Sequence, residues 1–257
     1  MTRSAIFHAL HHADEPLILP NAWDFGSAAF LAQAGFPAVA TTSLGVAAAA
    51  GRPDGTGSTR AETLTLARQL GRLPIPVTVD VEGGFSTDPD EVAEFCAELA
   101  EAGIAGVNLE DSRDNTTLAA RETHGAIITA VKARTPELFV NARTDTYWLG
   151  TDRDSTLARA QHYEKCGADG IFVPGVTEAA EIRALTEALT APLNILFSPN
   201  GLPVAELAAL GVRRVSTGSL LYRAALAAAV RTVRAVSSGG PLSPDIPPYT
   251  EILRLIN

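Results

Sequence analysis

Three apolar runs in this 257-residue chain end in charged side chains: Val77-Thr78-Val79-Asp80-Val81-Glu82, Val107-Asn108-Leu109-Glu110-Asp111, and Phe139-Val140-Asn141-Ala142-Arg143-Thr144-Asp145. A β-branched run that stops at acidic residues and gives way to a helical pattern places those residues at the carboxyl end of a parallel strand. That is the end at which α/β barrels carry their chemistry. Asp80, Glu82 and Glu110 then converge from two neighbouring strand ends. Carboxylates gathered in one cleft repel one another unless a cation neutralises them. An all-oxygen set suits Mg2+ or Mn2+, and Mg2+ commonly keeps several waters on so sparse a protein shell. Spacing alone leaves a competing reading open, in which these are solvated carboxylates paired with nearby arginines.

The elements that must position these residues alternate along the chain. Strand-like runs lie at 17–20, 38–42, 77–82, 106–110, 139–143, 170–173, 193–197 and 214–217. Between them sit segments with apolar residues three and four apart, such as Val92, Phe95, Cys96 and Leu99. Several of these segments close on glycine, at Gly35, Gly103, Gly167 and Gly211, as expected of the left-handed residue that ends a helix. Eight such units, with strands too apolar for a sheet wetted on one face, predict an α/β fold, a closed (β/α)8 TIM-type barrel over residues 1–236. No glycine-rich nucleotide turn of the right spacing follows a strand, which argues against a doubly wound dinucleotide fold. Residues 237–257 read as a tether, Ser237-Ser238-Gly239-Gly240-Pro241, and a short amphipathic helix from Tyr249, packed on its own barrel or on a neighbouring subunit.

Composition narrows the partners. With 46% hydrophobic and 19% charged residues the chain suits a large core rather than disorder. A net charge of −9 argues against nucleic acid or an anionic membrane as the main partner. The first residues lack a secretory apolar stretch, and no run is long enough to span a membrane. The two cysteines, Cys96 and Cys166, fall in helical patterns rather than a disulfide framework. A cytoplasmic protein is expected.

Asp80-Val81-Glu82-Gly83-Gly84-Phe85 resembles the metal-binding signature of the isocitrate lyase/phosphoenolpyruvate mutase superfamily: Asp, any residue, Asp or Glu, any residue, Gly. Leu109-Glu110-Asp111 and Ala142-Arg143-Thr144-Asp145 resemble its next two strand ends. The likeness extends upstream to Leu19-Pro20-Asn21-Ala22-Trp23-Asp24 and Thr42-Ser43-Leu44-Gly45-Val46, and downstream to Arg214-Val215-Ser216-Thr217-Gly218. The resemblance implies a barrel whose eighth helix is exchanged between subunits, a homodimer or homotetramer, and a Mg2+-bound 2-oxo acid or enolate at the strand ends. It makes Asp80 the direct metal ligand, with Glu82 and Glu110 holding metal-bound waters. Asp54 matches a catalytic acidic residue in the loop after the second strand. Thr42, Ser43 and Leu44 fall where backbone amides hold a substrate carboxylate, and Arg143 matches the arginine that contacts the oxyanion. A fixed guanidinium beside a divalent ion stabilises the enolate left when a bond to carbon 3 of a 2-oxo acid breaks.

The resemblance fails where substrates are chosen. The loop Ser112–Ala120 has neither the cysteine of isocitrate-type lyases nor the lysine of phosphonate enzymes, and Val173-Pro174-Gly175 lacks the histidine or glutamate found after the sixth strand in several branches. His124 is the nearest titratable substitute, set against a plainer role at the exposed start of a helix. Tyr147 and Trp148 are placed to wall the pocket, and the small residues of 114–117 predict a mobile loop. The expected activity is Mg2+-dependent lyase or decarboxylase chemistry on a small 2-oxo or 2-hydroxy acid. The alternatives are C–P bond chemistry on the same platform and a non-catalytic 2-oxo acid binding barrel.

Overall fold

The structure, a computed structural model, describes residues 1–256. Its main sheet is parallel and contains β1 (Leu17–Leu19), β2 (Asn21–Ala22), β3 (Val39–Thr41), β4 (Val77–Asp80), β5 (Gly106–Glu110), β8 (Phe139–Arg143), β9 (Gly170–Phe172), β10 (Leu193–Leu196) and β11 (Arg214–Ser216). Between β5 and β8 the chain makes a small antiparallel hairpin of β6 (Ser112–Arg113) and β7 (Thr117–Leu118). Strands β1 and β2 flank Pro20 and together form one barrel position: β1 pairs with β11 and β2 with β3. Proline has no N–H to give, but the Pro20 carbonyl accepts from Ala40 N at 2.9 Å, so the ring of strands is joined across the break. All eight expected strand runs are present, and the fold is the expected TIM-type barrel.

Alternation within the strands separates two interiors. Outward residues such as Val77, Val79, Val107, Leu109, Val140, Ile171 and Val215 are buried against the surrounding helices. The Pro89–Glu101 helix presents Val92, Phe95, Cys96 and Leu99 to them. Its start is fixed by Asp88, whose carboxylate accepts from Asp90 N and Glu91 N, with Pro89 in the first turn. Inward residues fill the barrel, and its lower end is closed by the Arg3–Leu10 helix, absent from the sequence expectation. Phe7 meets Phe139 edge-on at 5.3 Å, and His11 stacks on Phe139 at 4.2 Å. Gly170 makes room for the Phe139 ring and Gly106 for the Phe7 ring, since a Cβ at either would come to 3.0 Å from ring atoms.

The last elements depart from the pattern. The Leu220–Ser238 helix has no buried residue, and Leu226, Val230 and Val233, spaced four and three apart, are 51–65% exposed. The Tyr249–Ile256 helix returns to lie against the chain's own Phe25–Gln33 helix, with Leu255 on the core. No helix among the described residues is long and apolar enough to cross a membrane.

Candidate active site

The carboxyl ends of the strands open into a cavity of about 400 Å3. Its acidic side is made by Asp54, Asp80 and Glu110. Asp80 ends β4 and is held in place through its backbone, whose N–H donates to Thr41 Oγ1 at 2.8 Å. Ser43 N approaches its Oδ2 at 3.4 Å, and Asn108 Nδ2 its Oδ1 at 3.4 Å. Asp54 faces the same space with Oδ1 buried and without a partner. Burial, and then the nearby Asp80, raise the Asp54 carboxyl above its ordinary value. Among the described residues no three His, Cys, Asp or Glu side chains close into a ready cage. An all-oxygen wall with one orphaned carboxylate oxygen fits a hard cation that retains waters, so these residues suit Mg2+ or Mn2+.

Arg143, at the end of β8, crosses from this acidic side to an apolar one. Its Nη1 lies 3.0 Å from Glu110 Oε2, and its Nε donates to Asp145 Oδ1. Asp145 is itself placed by Asp111, which accepts from Asp145 N at 2.9 Å and from Tyr163 Oη at 2.7 Å. Arg159 Nη1 completes this buried support at 3.2 Å from Asp111. Burial opposes the Arg143 charge, but Glu110, Asp145 and Asp80 outweigh it and hold the guanidinium protonated. For Glu110 burial dominates over the pull of Arg143 and pushes the carboxyl up to about 8. On the other side Arg143 stands 5.7 Å from the Trp148 ring and 5.6 Å from Phe172. Phe172, Pro174, Leu196 and Trp148 line that wall.

Thr42, Ser43 and Leu44 form the third side. They open the Ser43–Ala49 helix, whose first N–H groups have no partner within the helix itself. Gly45 lets this turn sit low, because a Cβ there would meet Trp23 Cβ at 2.7 Å. The arrangement therefore combines oxygen ligands for a cation, a fixed guanidinium, the backbone turn that opens the Ser43–Ala49 helix, and an apolar wall.

Comparison with known proteins decides the lineage of this site: the model of the phosphoenolpyruvate phosphomutase family matches residues 7–237. The chain belongs to that family. An uncharacterized protein from Mycobacterium tuberculosis is 48% identical over 249 residues, covering 96% of this chain and 94% of its own length. An oxaloacetate decarboxylase from Pseudomonas aeruginosa is 33% identical over 246 residues, covering 90% of this chain and 84% of its own. A crystal structure from Burkholderia cenocepacia, provisionally named a phosphonomutase, superposes with a TM-score of 0.85 at 41% identity, covering 90% of this chain and 99% of that one. The phosphoenolpyruvate phosphomutase family lies within the isocitrate lyase/phosphoenolpyruvate mutase superfamily, whose members are lyases and mutases.

Within this family frame the structure brings Asp54, Asp80, Glu110, Arg143, Thr42, Ser43 and Leu44 to one cavity. Glu82 sits elsewhere. It has a left-handed φ of 50°, and both carboxylate oxygens are engaged: Oε2 with Gly57 N at 2.8 Å and Oε1 with Thr59 Oγ1 at 2.8 Å. It clamps the loop that carries Asp54 and is not among the residues lining the cavity; its expected part in holding a metal-bound water remains a proposal.

His124 also lies apart from the cavity, and its expected exposure is not observed. It is fully buried edge-on against Tyr163 at 4.8 Å. Burial first, and then Arg113, lower its pKa to about 3. His11 is likewise lowered to about 3, by burial and then Arg214. An unfolded histidine takes a proton below about pH 6.5, whereas these rings stay neutral until about pH 3. The unfolded state thus binds more protons in that window, and the histidines' contribution to stability is lost as pH falls through it. His124→Phe is expected to reduce the loss of stability between pH 6.5 and 5.5 by about 1 kcal/mol. Urea unfolding at the two pH values measures it, and an unchanged loss would contradict the buried neutral ring.

Two contributors escaped the sequence reading. The segment expected to be mobile is the β6–β7 hairpin, turned by Asp114 and Asn115 with φ of 51° and 52°. This is the pair of positive angles that a type I′ turn demands. Asn115 at its tip lines the cavity and donates to the Asp54 carbonyl at 3.1 Å. Arg214 rises from the start of β11 into the floor of the cavity and is 2% exposed. Its signal was the alternation Arg214-Val215-Ser216, which turns Arg214 and Ser216 inward once Val215 is packed outward.

Proposed function

We propose that the protein is a divalent-cation-dependent decarboxylase of a small 2-oxo acid bearing a carboxylate on carbon 3, of the oxaloacetate type, within the broader class of C–C lyases. The supporting observation is the position of Arg143 on the border between the acidic side and the apolar wall of one cavity. Asp80 would hold Mg2+ or Mn2+ directly, with Asp54 and Glu110 reaching it through water. When bound, the cation supplies a Lewis acid for the 2-oxo oxygen. The backbone N–H groups opening the Ser43–Ala49 helix bind the carbon-1 carboxylate. Phe172, Leu196 and Pro174 surround the carbon-4 carboxylate, which loses its charge as it leaves, so an apolar setting favours departure. As the C3–C4 bond breaks, its electron pair moves to the enolate, whose oxyanion faces the Arg143 guanidinium. The neutral CO2 needs no proton from the enzyme, which accords with a wall that lacks cysteine, histidine and lysine. Carbon 3 then takes a proton from water admitted beside the hairpin.

Carbon-13 NMR of 2-oxo acids with and without a 3-carboxylate tests the reading: loss of the carbon-4 signal as CO2 only from the former supports it, and cleavage of neither would defeat it. The family match favours a second reading, C–P chemistry on phosphonopyruvate. Against it, the wall formed by Phe172, Pro174, Leu196 and Trp148 carries no charged side chain of its own for a departing phosphoryl group. Phosphorus NMR of phosphonopyruvate separates the two.

The bare stripe on Leu220–Ser238 supports a homodimer or homotetramer in which this helix is covered by another subunit, since contiguous exposed apolar surface marks an interface. Val230→Glu with Val233→Glu is expected to give a folded monomer by light scattering and circular dichroism. A double variant that keeps the wild-type mass would contradict this. Such an oligomer, acting on a small metabolite-sized acid, fits a cytoplasmic enzyme.

A further inference from the structure

Arg214 has no part in the reaction just described, yet its guanidinium is buried on the floor of the cavity. Its guanidinium forms no ion pair within 4 Å among the described residues, and Nε and Nη1 are buried without hydrogen-bond partners. Arg143, the other cation lining the cavity, lies 3.0 Å from Glu110 and donates to Asp145. Thr78 Oγ1 and Ser216 Oγ, which line the same floor, are orphaned as well. A bare buried charge is costly and calls for a partner. The carboxylate whose field reaches Arg214 is Asp80, the residue placed to hold the cation.

Resting on the proposed metal platform, we propose that Arg214 couples cation binding to anion binding at this site. One fixed positive charge in the same cavity as Asp80 opposes a divalent ion that arrives alone and attracts the anionic acid that arrives with it. The two therefore bind jointly, and a bare metal ion is held weakly. The device discriminates by charge: it favours anionic chelators of the metal over neutral carbonyl compounds.

Calorimetry of Mn2+ binding, alone and with saturating oxalate as the enolate mimic, tests this on the wild type, Arg214→Met and Arg214→Lys. The wild type is expected to bind Mn2+ at least ten-fold more tightly with oxalate present. Arg214→Met should bind bare Mn2+ about ten-fold more tightly than the wild type, while its gain from oxalate shrinks by a similar factor. Arg214→Lys, which keeps the charge, should restore the coupling. Because Arg214 has no ion pair to break, the methionine variant is expected to fold, with a Tm no lower than that of the wild type. A purely structural role would weaken both ligands together in Arg214→Met, and that result, or unchanged coupling, would overturn the inference alone. Absence of joint Mn2+ and oxalate binding in the wild type would overturn the metal platform itself, and this inference with it.

Discussion

Arg143→Ala is expected to lower kcat by about 10^2–10^3, the loss typical of removing a donor that faces a developing oxyanion. The guanidinium is held from one side by Glu110 and Asp145, and through Asp145 by the buried Asp111, Tyr163 and Arg159. Its stabilisation is available when charge appears on the substrate oxygen, so KM should change less than kcat. The substitution also leaves two buried carboxylates without their cation. Breaking such a pair typically costs about 3–5 kcal/mol, less here because Glu110, raised by burial, is readily protonated. Arg143→Lys separates the two effects: it should recover most of the thermal stability but little of kcat, since a point charge does not reproduce the planar fork. Equal recovery of both would assign Arg143 a structural role.

The second large effect is expected at Asp80. Asp80→Ala should remove detectable Mg2+-dependent binding of oxalate, because Asp80 is the carboxylate at the centre of the acidic side, flanked by Ser43 N, Asn108 and the orphaned Asp54. Its own backbone anchors to Thr41, so removal of the side-chain carboxylate leaves the strand pairing of β4 untouched. Relief of like-charge repulsion should leave the fold as stable as before or more so. Calorimetry with oxalate and Mg2+ measures the first expectation, and thermal unfolding the second. Glu82→Gln makes a contrast. It should loosen the 51–59 loop that Glu82 clamps and weaken oxalate binding partially, by way of Asp54.

The eight barrel strands were legible because each is a short apolar run with helical periodicity on either side, and because glycine marks the helix ends. Gly35, Gly103, Gly167 and Gly211 all have φ near +90 to +103°, angles that glycine adopts freely. The Arg3–Leu10 helix was not legible, since it buries a single residue, Phe7, and so carries no periodic stripe. His124 was misplaced although its signal was present: it shares a face with Ile127, Ile128 and Val131, all buried. Glu82 and Asp80 differ by two positions and look equivalent in sequence. What separates them is a non-local contact with Gly57 and Thr59, which no spacing rule encodes. Arg214 belongs to the family-like run that ends at Gly218, but its burial in the cavity follows only once the barrel is closed around it.

The most direct test of the account is the initial rate of CO2 release from oxaloacetate with saturating Mg2+, corrected for the metal-catalysed background, for the wild type and Asp80→Ala side by side. The account predicts release well above background in the wild type and background alone in the variant. No acceleration by the wild type, or acceleration that survives in Asp80→Ala, would contradict it.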